Sequence, residues 1–271
     1  MVRQYYVPRI TEISENELES IFGVVEPPVC LLGGWAVHFH VNEGFRREHG
    51  RDYIGSRDID LGIHVDPRWK VEDFENSPVE ATLASVEKLG YTKSRFGFVQ
   101  NFHRETGDRI SEEKATDRPL HEVFKVYVDV IPDTDELSNF RERYGFKPPA
   151  EPLLNPVFEE EVSVPLTEYT PLDIPAEVTL VPPELLAAMK IRSLPDRDKN
   201  HKRVKDVADL HALLWYTKKF DRMRDSVAQY VTGEDLERLQ NAVGEELFEN
   251  GAQLLQTNPE VVAESIRRLN Y

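Results

Sequence analysis

An alternation of apolar and acidic residues near position 60 constrains this chain more than any other stretch. In GSRDIDLGIHV (55–65), Ile59 and Leu61 fall on one side of an extended strand, and Asp58 and Asp60 fall on the other. This period of two predicts a half-buried strand that projects two carboxylates side by side. Because adjacent carboxylates repel each other, the pair favours a bound cation, and a hard divalent ion such as Mg²⁺ suits these oxygen ligands.

The same two aspartates also have a simpler interpretation. The chain has 271 residues and 49 acidic side chains, so Asp-x-Asp arises easily by chance. Two aspartates on the wet face of an edge strand would need no ligand. Other parts of the sequence are therefore needed to distinguish a metal site from an ordinary exposed strand.

A third carboxylate comes from the apolar run 121–131. Asp129 falls on the side of this predicted strand opposite three valines, and the strand is otherwise too apolar for the protein surface. A buried lone acid is costly unless it is paired or bound to a metal. We therefore predict Asp129 as the third ligand, with Asp133 and Asp135 as its rivals.

Two glycines join the predicted strand Val29–Leu32 to a helix predicted from Trp35 to about Glu48. The order strand, Gly33-Gly34, helix brings bare backbone amides and the positive end of a helix to one point, which suits a phosphate group. The glycines are equally explained by a tight turn that has no ligand.

The predicted elements divide the chain into two parts. Residues 1–150 alternate strands and helices, which predicts an α/β (α+β) domain with a mixed sheet flanked by helices. Half of the 18 prolines lie in 148–183, so residues 151–271 are predicted to form an extended connection followed by a helical domain. Within this second part we expect a strand over 158–166 and a single helix from Gly233 to about Gln256.

Two capping-box patterns predict where helices begin in the first part of the chain. Ser14 is followed three residues later by Glu17, and Ser77 is followed three residues later by Glu80. In each pair the serine side chain can accept from the backbone of the helix, while the glutamate reaches back.

The charge distribution bears on possible partners. The net charge of −16 opposes binding to nucleic acid over the molecule as a whole. Locally, residues 190–205 hold seven Lys/Arg and two Asp, which makes this segment a candidate surface for an RNA backbone. The alternative is that these charges cross-link two surface helices, which is the usual role of a charge run. Asp206 and Asp209 follow at a spacing that puts them on one helix face.

Several absences predict a cytoplasmic protein that has no membrane partner. The sequence has no run of about eighteen apolar residues, and its start, MVRQYYVPRI, lacks the apolar core of a secretion signal. Its one cysteine, Cys30, can form no internal disulfide.

Taken in order, the segments LLGGWAVHFH, SRDIDL and VYVDVI, a lysine-bearing helix and KDVADL resemble the DNA polymerase beta-type nucleotidyltransferase superfamily. Within it they are most similar to the AbiEii-type branch of abortive-infection and toxin–antitoxin nucleotidyltransferases. The likeness extends over about residues 30 to 215. The matching residues are Gly33, Gly34, Ala36, Ser56, Asp58, Asp60, Lys190, Lys205, Asp206, Asp209 and Leu210.

The chain departs from the pattern of that superfamily and of its branch at three points. The usual Gly-Ser is Gly33-Gly34 here, so phosphate contact falls to backbone amides or to Ser56, which stands where the branch has threonine. Ile54 stands where the branch has arginine, and Arg51 and Arg57 are the candidates to replace that arginine.

The resemblance implies a metal-dependent transfer of a nucleoside monophosphate from an NTP to a hydroxyl group, with release of pyrophosphate. Asp58, Asp60 and Asp129 would hold two Mg²⁺ ions, with Mn²⁺ as an alternative, and Asp129 would also act as the base. Lys190 would neutralise phosphate charge. The nucleotide-binding residues would be Gly33, Gly34, Ser56, Arg57, Asp206 and Asp209, the last two contacting the nucleotide or orienting Lys190.

The acceptor and the partners also follow from the resemblance. It implies a tRNA 3′ end or a protein side chain as acceptor, and a toxin that is paired with a cognate antitoxin. Two alternatives stay open. A small cationic acceptor of the aminoglycoside type would suit the negative net charge, and a non-catalytic member of the superfamily would act through protein contacts.

Overall fold

The computed structural model describes residues 6–159, 162–175 and 177–269. Over these residues all of the strands belong to one sheet. The strands are β1 (Val29–Leu32), β2 (Ile59–Ile63), β3 (Thr92–Lys93), β4 (Gly97–His103), β5 (Arg109–Ile110), β6 (Val123–Pro132), β7 (Val164–Pro165) and β8 (Thr179–Leu180). Their order is β3-β4-β6-β2-β1-β8-β7, and β5 pairs with β4.

The described chain from 183 to 269 is mainly helical, as predicted, and further helices lie between the strands. The described α-helices are α1 (Pro8–Phe22), α2 (Gly33–His49), α3 (Pro78–Lys88), α4 (Glu112–Thr116), α5 (Ser138–Tyr144), α6 (Asn155–Glu159), α7 (Pro183–Ser193), α8 (Asn200–Tyr216), α9 (Phe220–Val227), α10 (Gly233–Ala242), α11 (Glu245–Leu255) and α12 (Pro259–Arg267). None of these described helices is long and apolar enough to cross a bilayer.

Strand β2 lies in the interior of the sheet. It pairs antiparallel with β1 and parallel with β6, so the mixed sheet that the sequence predicts is confirmed. Ile59, Leu61 and Ile63 are at most 1% exposed and anchor the strand in the core. The predicted strand is therefore confirmed, and the alternative of an exposed edge strand is wrong.

The described chain forms two compact units. The first, called here the sheet unit, comprises Val7–Trp35 and Gly55–Val181 and contains the whole sheet. The second, called the helical unit, comprises Tyr6, Ala36–Ile54 and the chain from Pro182 onward. This division does not follow the expected boundary at residue 150. The proline-rich stretch belongs to the sheet unit because β8 pairs with β1 and β7 pairs with β8.

The first capping-box prediction is wrong. Helix α1 begins at Pro8, where a proline suits the first helical position, and Ser14 lies inside the helix. The Ser14 Oγ atom instead accepts a hydrogen bond of 3.0 Å from the buried Trp35 indole. Glu17 accepts one of 2.7 Å from the Tyr91 hydroxyl. These two residues satisfy buried polar groups in the core, a need that a pattern of local spacing does not reveal.

The second capping prediction is confirmed, since the backbone N–H of Glu80 donates to Ser77 Oγ at 3.1 Å. Two predictions in the second half of the chain are wrong. Over 158–166 only β7 is extended among the described residues, and α6 occupies the start of this range. The single helix expected after Gly233 is two helices, because Gly244 has extended backbone angles that separate α10 from α11.

Candidate functional site

Asp60 and Asp129 are brought together by strand pairing. They are Cα partners in the parallel pair formed by β2 and β6, and neighbouring strands lie about 4.8 Å apart. Asp58 comes one residue before β2, so an extended chain directs it to the same face as Asp60. All three residues are partly exposed. The sheet unit therefore gathers the three predicted carboxylates at the start of β2 and on the part of β6 that pairs with it.

Asp129 is not buried as the sequence suggested. Its neighbours on the same strand face include Tyr127, which is 37% exposed, while Val126 and Val128 on the opposite face are fully buried. The strand alternates as predicted, but its buried face is the one that carries the valines. Because this leaves the Asp129 carboxylate in contact with solvent, no ligand is needed merely to offset burial.

The rival carboxylate Asp133 already has partners. Its Oδ1 atom accepts from the Val65 backbone N–H at 2.9 Å, and its Oδ2 atom lies 2.6 Å from Nδ1 of His64. The hydrogen bond that the Asp133 carboxylate accepts raises the pKa of His64, against the opposing effect of burial. Asp135 is exposed and lies beyond the end of β6. Of the three candidates, only Asp129 is in register with Asp60.

Gly33 lies directly against the Asp60 carboxylate. Leu32 is the antiparallel Cα partner of Asp60, and the chain then turns at Gly33 with a φ of +68°. A Cβ atom at position 33 would lie 1.8 Å from Asp60 Oδ2. Only glycine fits this position, because both the left-handed backbone and the missing side chain are required. The turn opens α2, whose first backbone amides have no partner within the helix.

The remaining predicted nucleotide-binding residues of the sheet unit are Gly34, Ser56 and Arg57. Gly34 is in the first turn of α2, and Ser56 and Arg57 lie partly exposed just before β2. The Arg57 guanidinium lies 5.1 Å from the centre of the Phe124 ring. The other candidate arginine, Arg51, belongs to the helical unit, where it donates to the Leu255 carbonyl oxygen.

The chemistry of these carboxylates fits a magnesium ion, but they do not form a complete cage. Among the described residues no group of three His, Cys, Asp or Glu side chains is arranged to hold a metal ion. Mg²⁺ usually takes one or two carboxylates, several waters and the phosphates of its substrate. Asp60 and Asp129 can supply such a pair, so the donor set suits an ion that arrives together with a nucleotide.

The helical unit contains a separate buried cluster of charges. The Lys190 ammonium on α7 lies 2.7 Å from Asp206 Oδ1 and 2.8 Å from Asp209 Oδ2, and both aspartates are on α8. Lys205 forms an ion pair with the other oxygen of Asp209, which also accepts a 2.8 Å hydrogen bond from the Tyr53 hydroxyl. Lys190, Lys205, Asp206 and Asp209 are each 8% exposed or less.

The two lysines of this cluster differ in their pKa. Burial disfavours the charge on Lys190, but the carboxylates of Asp206 and Asp209 outweigh it and raise the pKa above its usual range. Burial lowers the pKa of Lys205, because Asp209 compensates only in part and the charge of Lys190 opposes a second cation. Lys190 therefore stays protonated, with its ammonium held by two carboxylates.

The basic segment 190–205 is not the open surface that the sequence suggested. Lys190 and Lys205 are buried, and Arg197 donates to Asp206 at 2.9 Å. Arg203 donates to the carbonyl oxygen of Ala242. Four cations of the segment 190–205 thus bind partners within the helical unit. This removes the main support for an RNA-binding surface on that segment.

Sequence reasoning missed the role of Tyr53. Its hydroxyl donates to Asp209 from 156 positions away in the chain. Burial, followed by the charge of Asp209, raises the pKa of this hydroxyl well above its usual value, so it remains a donor. No motif or spacing pointed to Tyr53; the only local signal was its place just before the Asp-x-Asp strand.

Carboxylates on two interior strands, beside a glycine turn, are the arrangement that the resemblance to nucleotidyltransferases implied. The model of the family described as "Nucleotidyl transferase AbiEii toxin, Type IV TA system" matches residues 55–265. Since this match covers more than half of the chain, the chain belongs to the AbiEii family of nucleotidyltransferase toxins. The predicted branch is thereby confirmed, and membership of a Type IV toxin–antitoxin family implies a cognate antitoxin.

No curated protein matches the chain. Among solved structures, it is similar to an antigenic nucleotidyltransferase-like protein from Paracoccidioides brasiliensis, with 18% identity, 96% of this chain and 92% of that chain covered, and a TM-score of 0.32.

Proposed function

We propose that the chain transfers a nucleoside monophosphate from an NTP to a hydroxyl group, and that Mg²⁺ is required. The acceptor oxygen would attack the α-phosphorus, forming a new P–O bond, while the bond from the α-phosphorus to pyrophosphate breaks. The observation that carries the proposal is the register of Asp60 with Asp129 on interior strands, with Gly33 packed against Asp60.

Each predicted site residue of the sheet unit has a proposed role in this reaction. Asp58, Asp60 and Asp129 would hold the metal, and Asp129 would accept the proton of the attacking hydroxyl. When bound, Mg²⁺ would neutralise charge on the phosphates. Backbone amides at Gly33 and Gly34 would receive phosphate oxygens, because the start of a helix favours an anion.

Ser56 and Arg57 are proposed to contact the nucleotide as well. Both are partly exposed just before the carboxylate strand. A serine hydroxyl can donate to a phosphate oxygen, and a guanidinium can supply two parallel donors.

For Lys190 we propose that its permanently charged ammonium neutralises charge on a phosphate group. Its support is the raised pKa that Asp206 and Asp209 produce. These aspartates are then proposed as the residues that orient Lys190 rather than as direct nucleotide contacts, since each of them already binds a cation.

The proposal is tested with α-labelled NTPs, Mg²⁺ and three acceptors in parallel: tRNA, an aminoglycoside and the protein itself. We expect label on tRNA or on protein, and at least about a hundredfold loss of transfer in Asp60→Ala and in Asp129→Ala, as for other groups that stabilise transition-state charge. Asp135→Ala is the matched control, because this carboxylate is exposed beyond the end of β6.

The outcomes separate the competing interpretations. Full activity of Asp60→Ala with Mg²⁺ would rule out the assigned site, and label on the aminoglycoside would change the acceptor class. A non-catalytic protein would transfer no label to any acceptor. Binding is measured independently, since an NTP–Mg²⁺ complex at a hundred times its Kd should stabilise the folded state by about 2.7 kcal/mol.

A further inference from the structure

Tyr127 lies on the same face of β6 as Asp129. Residues two positions apart on a strand project to one side, about 6.6 Å from each other. Val128 is the Cα partner of Ile59 in the parallel pair of β6 and β2, and Tyr127 and Asp58 are the residues that come directly before these two. Tyr127 therefore lies next to two of the three carboxylates of the proposed site.

The side chain of Tyr127 is partly exposed, and the fold does not use its hydroxyl. The residue is 37% exposed, and its hydroxyl has no hydrogen-bond partner in the part of the chain that the structure describes. By contrast, the hydroxyls of Tyr53, Tyr91 and Tyr216 form side-chain hydrogen bonds of 2.8, 2.7 and 2.7 Å. A phenol without a structural partner, placed beside a proposed base, is available as a nucleophile.

The order of the strands puts Tyr127 across the carboxylates from the Gly33 turn. Strand β2, which carries Asp60, has β1 on one side and β6 on the other. Gly33 directly follows β1, and in the proposed function its turn receives the phosphates. The attacking and leaving oxygens of such a transfer lie roughly in line. A hydroxyl on β6 is therefore on the side opposite to a pyrophosphate held at the turn.

The neighbouring strand β4 leaves this approach open. The antiparallel Cα partner of Asp129 on β4 is Gly97, which has no side chain to separate Tyr127 from Asp129. A tyrosine side chain is also longer than that of an aspartate, so its hydroxyl stands farther from the sheet than the Asp129 carboxylate does. The phosphates of a nucleotide bound over the carboxylates would lie on that side of the sheet.

We propose that Tyr127 is a site of self-modification, at which the chain attaches a nucleoside monophosphate to its own phenol. A lone pair of Tyr127 Oη attacks the α-phosphorus of the NTP and forms a P–O bond. The bond from the α-phosphorus to pyrophosphate breaks, and its electron pair leaves with the pyrophosphate. The phenolic proton passes to the Asp129 carboxylate. This inference rests on the proposed function, because it names the residue that serves as a protein acceptor.

The test is incubation of the full chain with an α-labelled NTP and Mg²⁺, without any other acceptor, followed by mass spectrometry of its peptides. We expect one nucleoside monophosphate on the peptide that contains Tyr127, and a loss of this label to background in Tyr127→Phe. The matched control is Tyr169→Phe, which removes the hydroxyl of a tyrosine that is 39% exposed and lies outside the strands. This control should keep the label.

A binding measurement separates loss of the acceptor from loss of the nucleotide. Tyr127→Phe keeps the ring, so the rise in melting temperature on addition of NTP and Mg²⁺ should equal that of the unsubstituted chain. A smaller rise would show that Tyr127 supports nucleotide binding instead, and would overturn its assignment as the acceptor.

A mixing experiment tests whether transfer occurs within one chain, as the shared strand face requires. An Asp60→Ala chain that contains heavy nitrogen is incubated with the unsubstituted light chain, NTP and Mg²⁺. We expect label on Tyr127 of the light chain only. Label on the heavy chain would mean that one molecule modifies another, and the inference from strand geometry would be wrong.

The results distinguish this inference from the proposed function. If tRNA is labelled and the chain is not, or if the label lies on a residue other than Tyr127, the inference is wrong while the proposed function stands. If neither the chain nor any added acceptor is labelled, both are wrong. Label on Tyr127 alone supports both and makes the chain its own acceptor.

Discussion

Asparagine at position 209 would keep the shape of the side chain and remove its charge. Asp209 is fully buried, and its two oxygens contact Lys190, Lys205 and the Tyr53 hydroxyl. In Asp209→Asn two buried ammonium groups would share the single carboxylate of Asp206. Removing one partner of a buried ion pair typically costs about 3–5 kcal/mol, because an uncompensated charge stays behind.

This cost is large enough to measure by thermal unfolding. At about 2–4 °C per kcal/mol for a chain of this size range, the melting temperature should fall by roughly 6–20 °C. Circular dichroism and calorimetry near neutral pH would follow the transition. The matched control is Asp225→Asn, which removes an exposed carboxylate paired with Arg224 and should cost less than about 1 kcal/mol.

A second substitution tests the reason for the loss. Burial lowers the pKa of Lys205, so the charged form of Lys205 is less stabilised than the charged form of Lys190. Adding Lys205→Met to Asp209→Asn removes the excess cation and should restore part of the stability, with a coupling energy of about 0.5–3 kcal/mol. An Asp209→Asn protein no less stable than Asp225→Asn would refute the idea that this cluster is a balanced buried network.

Three further predictions concern other parts of the molecule. Gly33→Ala should abolish nucleotide transfer and should lower stability more than Gly50→Ala does. Gly50 has nearly the same φ, +67°, but open space around it, so the difference between the two variants isolates the collision with Asp60. Equal effects of the two substitutions in transfer and unfolding assays would contradict this prediction. Burial lowers the pKa of His211 from 6.5 to about 4. As the pH is lowered, the unfolded chain therefore binds a proton before the folded chain does. The free energy of unfolding should fall by up to about 1.4 kcal/mol for each pH unit as the pH is lowered from 6.5 to 4. His211→Gln should make this fall shallower in denaturant titrations, and parallel pH profiles would disprove the assignment. Ser14→Ala would leave a buried indole N–H without its acceptor and should cost about 1–3 kcal/mol in urea unfolding, whereas a neutral effect would show that the bond contributes nothing.

Local patterns predicted the elements that carry the candidate site. The alternation around Ile59 and Leu61 indicated β2, and the glycines after Leu32 indicated the turn into α2; both are present. Such signals work because a half-buried strand and a glycine turn impose their requirements on adjacent residues. They failed at Ser14, where a spacing typical of a helix start serves the core instead.

Charge patterns were less informative than apolar ones. Seven cations in 190–205 suggested an open basic surface, yet Lys190 and Lys205 lie inside the helical unit and bind Asp206 and Asp209. A charge in the sequence does not say whether its partner is solvent, a ligand or a distant carboxylate.

The sequence by itself determined which residues could be metal-binding carboxylates and that Asp58 and Asp60 share one strand face. Only the tertiary structure decided that Asp129, rather than Asp133, pairs in register with Asp60, and that Tyr53 supports Asp209. The reason is physical. Backbone periodicity acts over a few residues, whereas strand register and buried ion pairs depend on how segments far apart in the chain pack against each other.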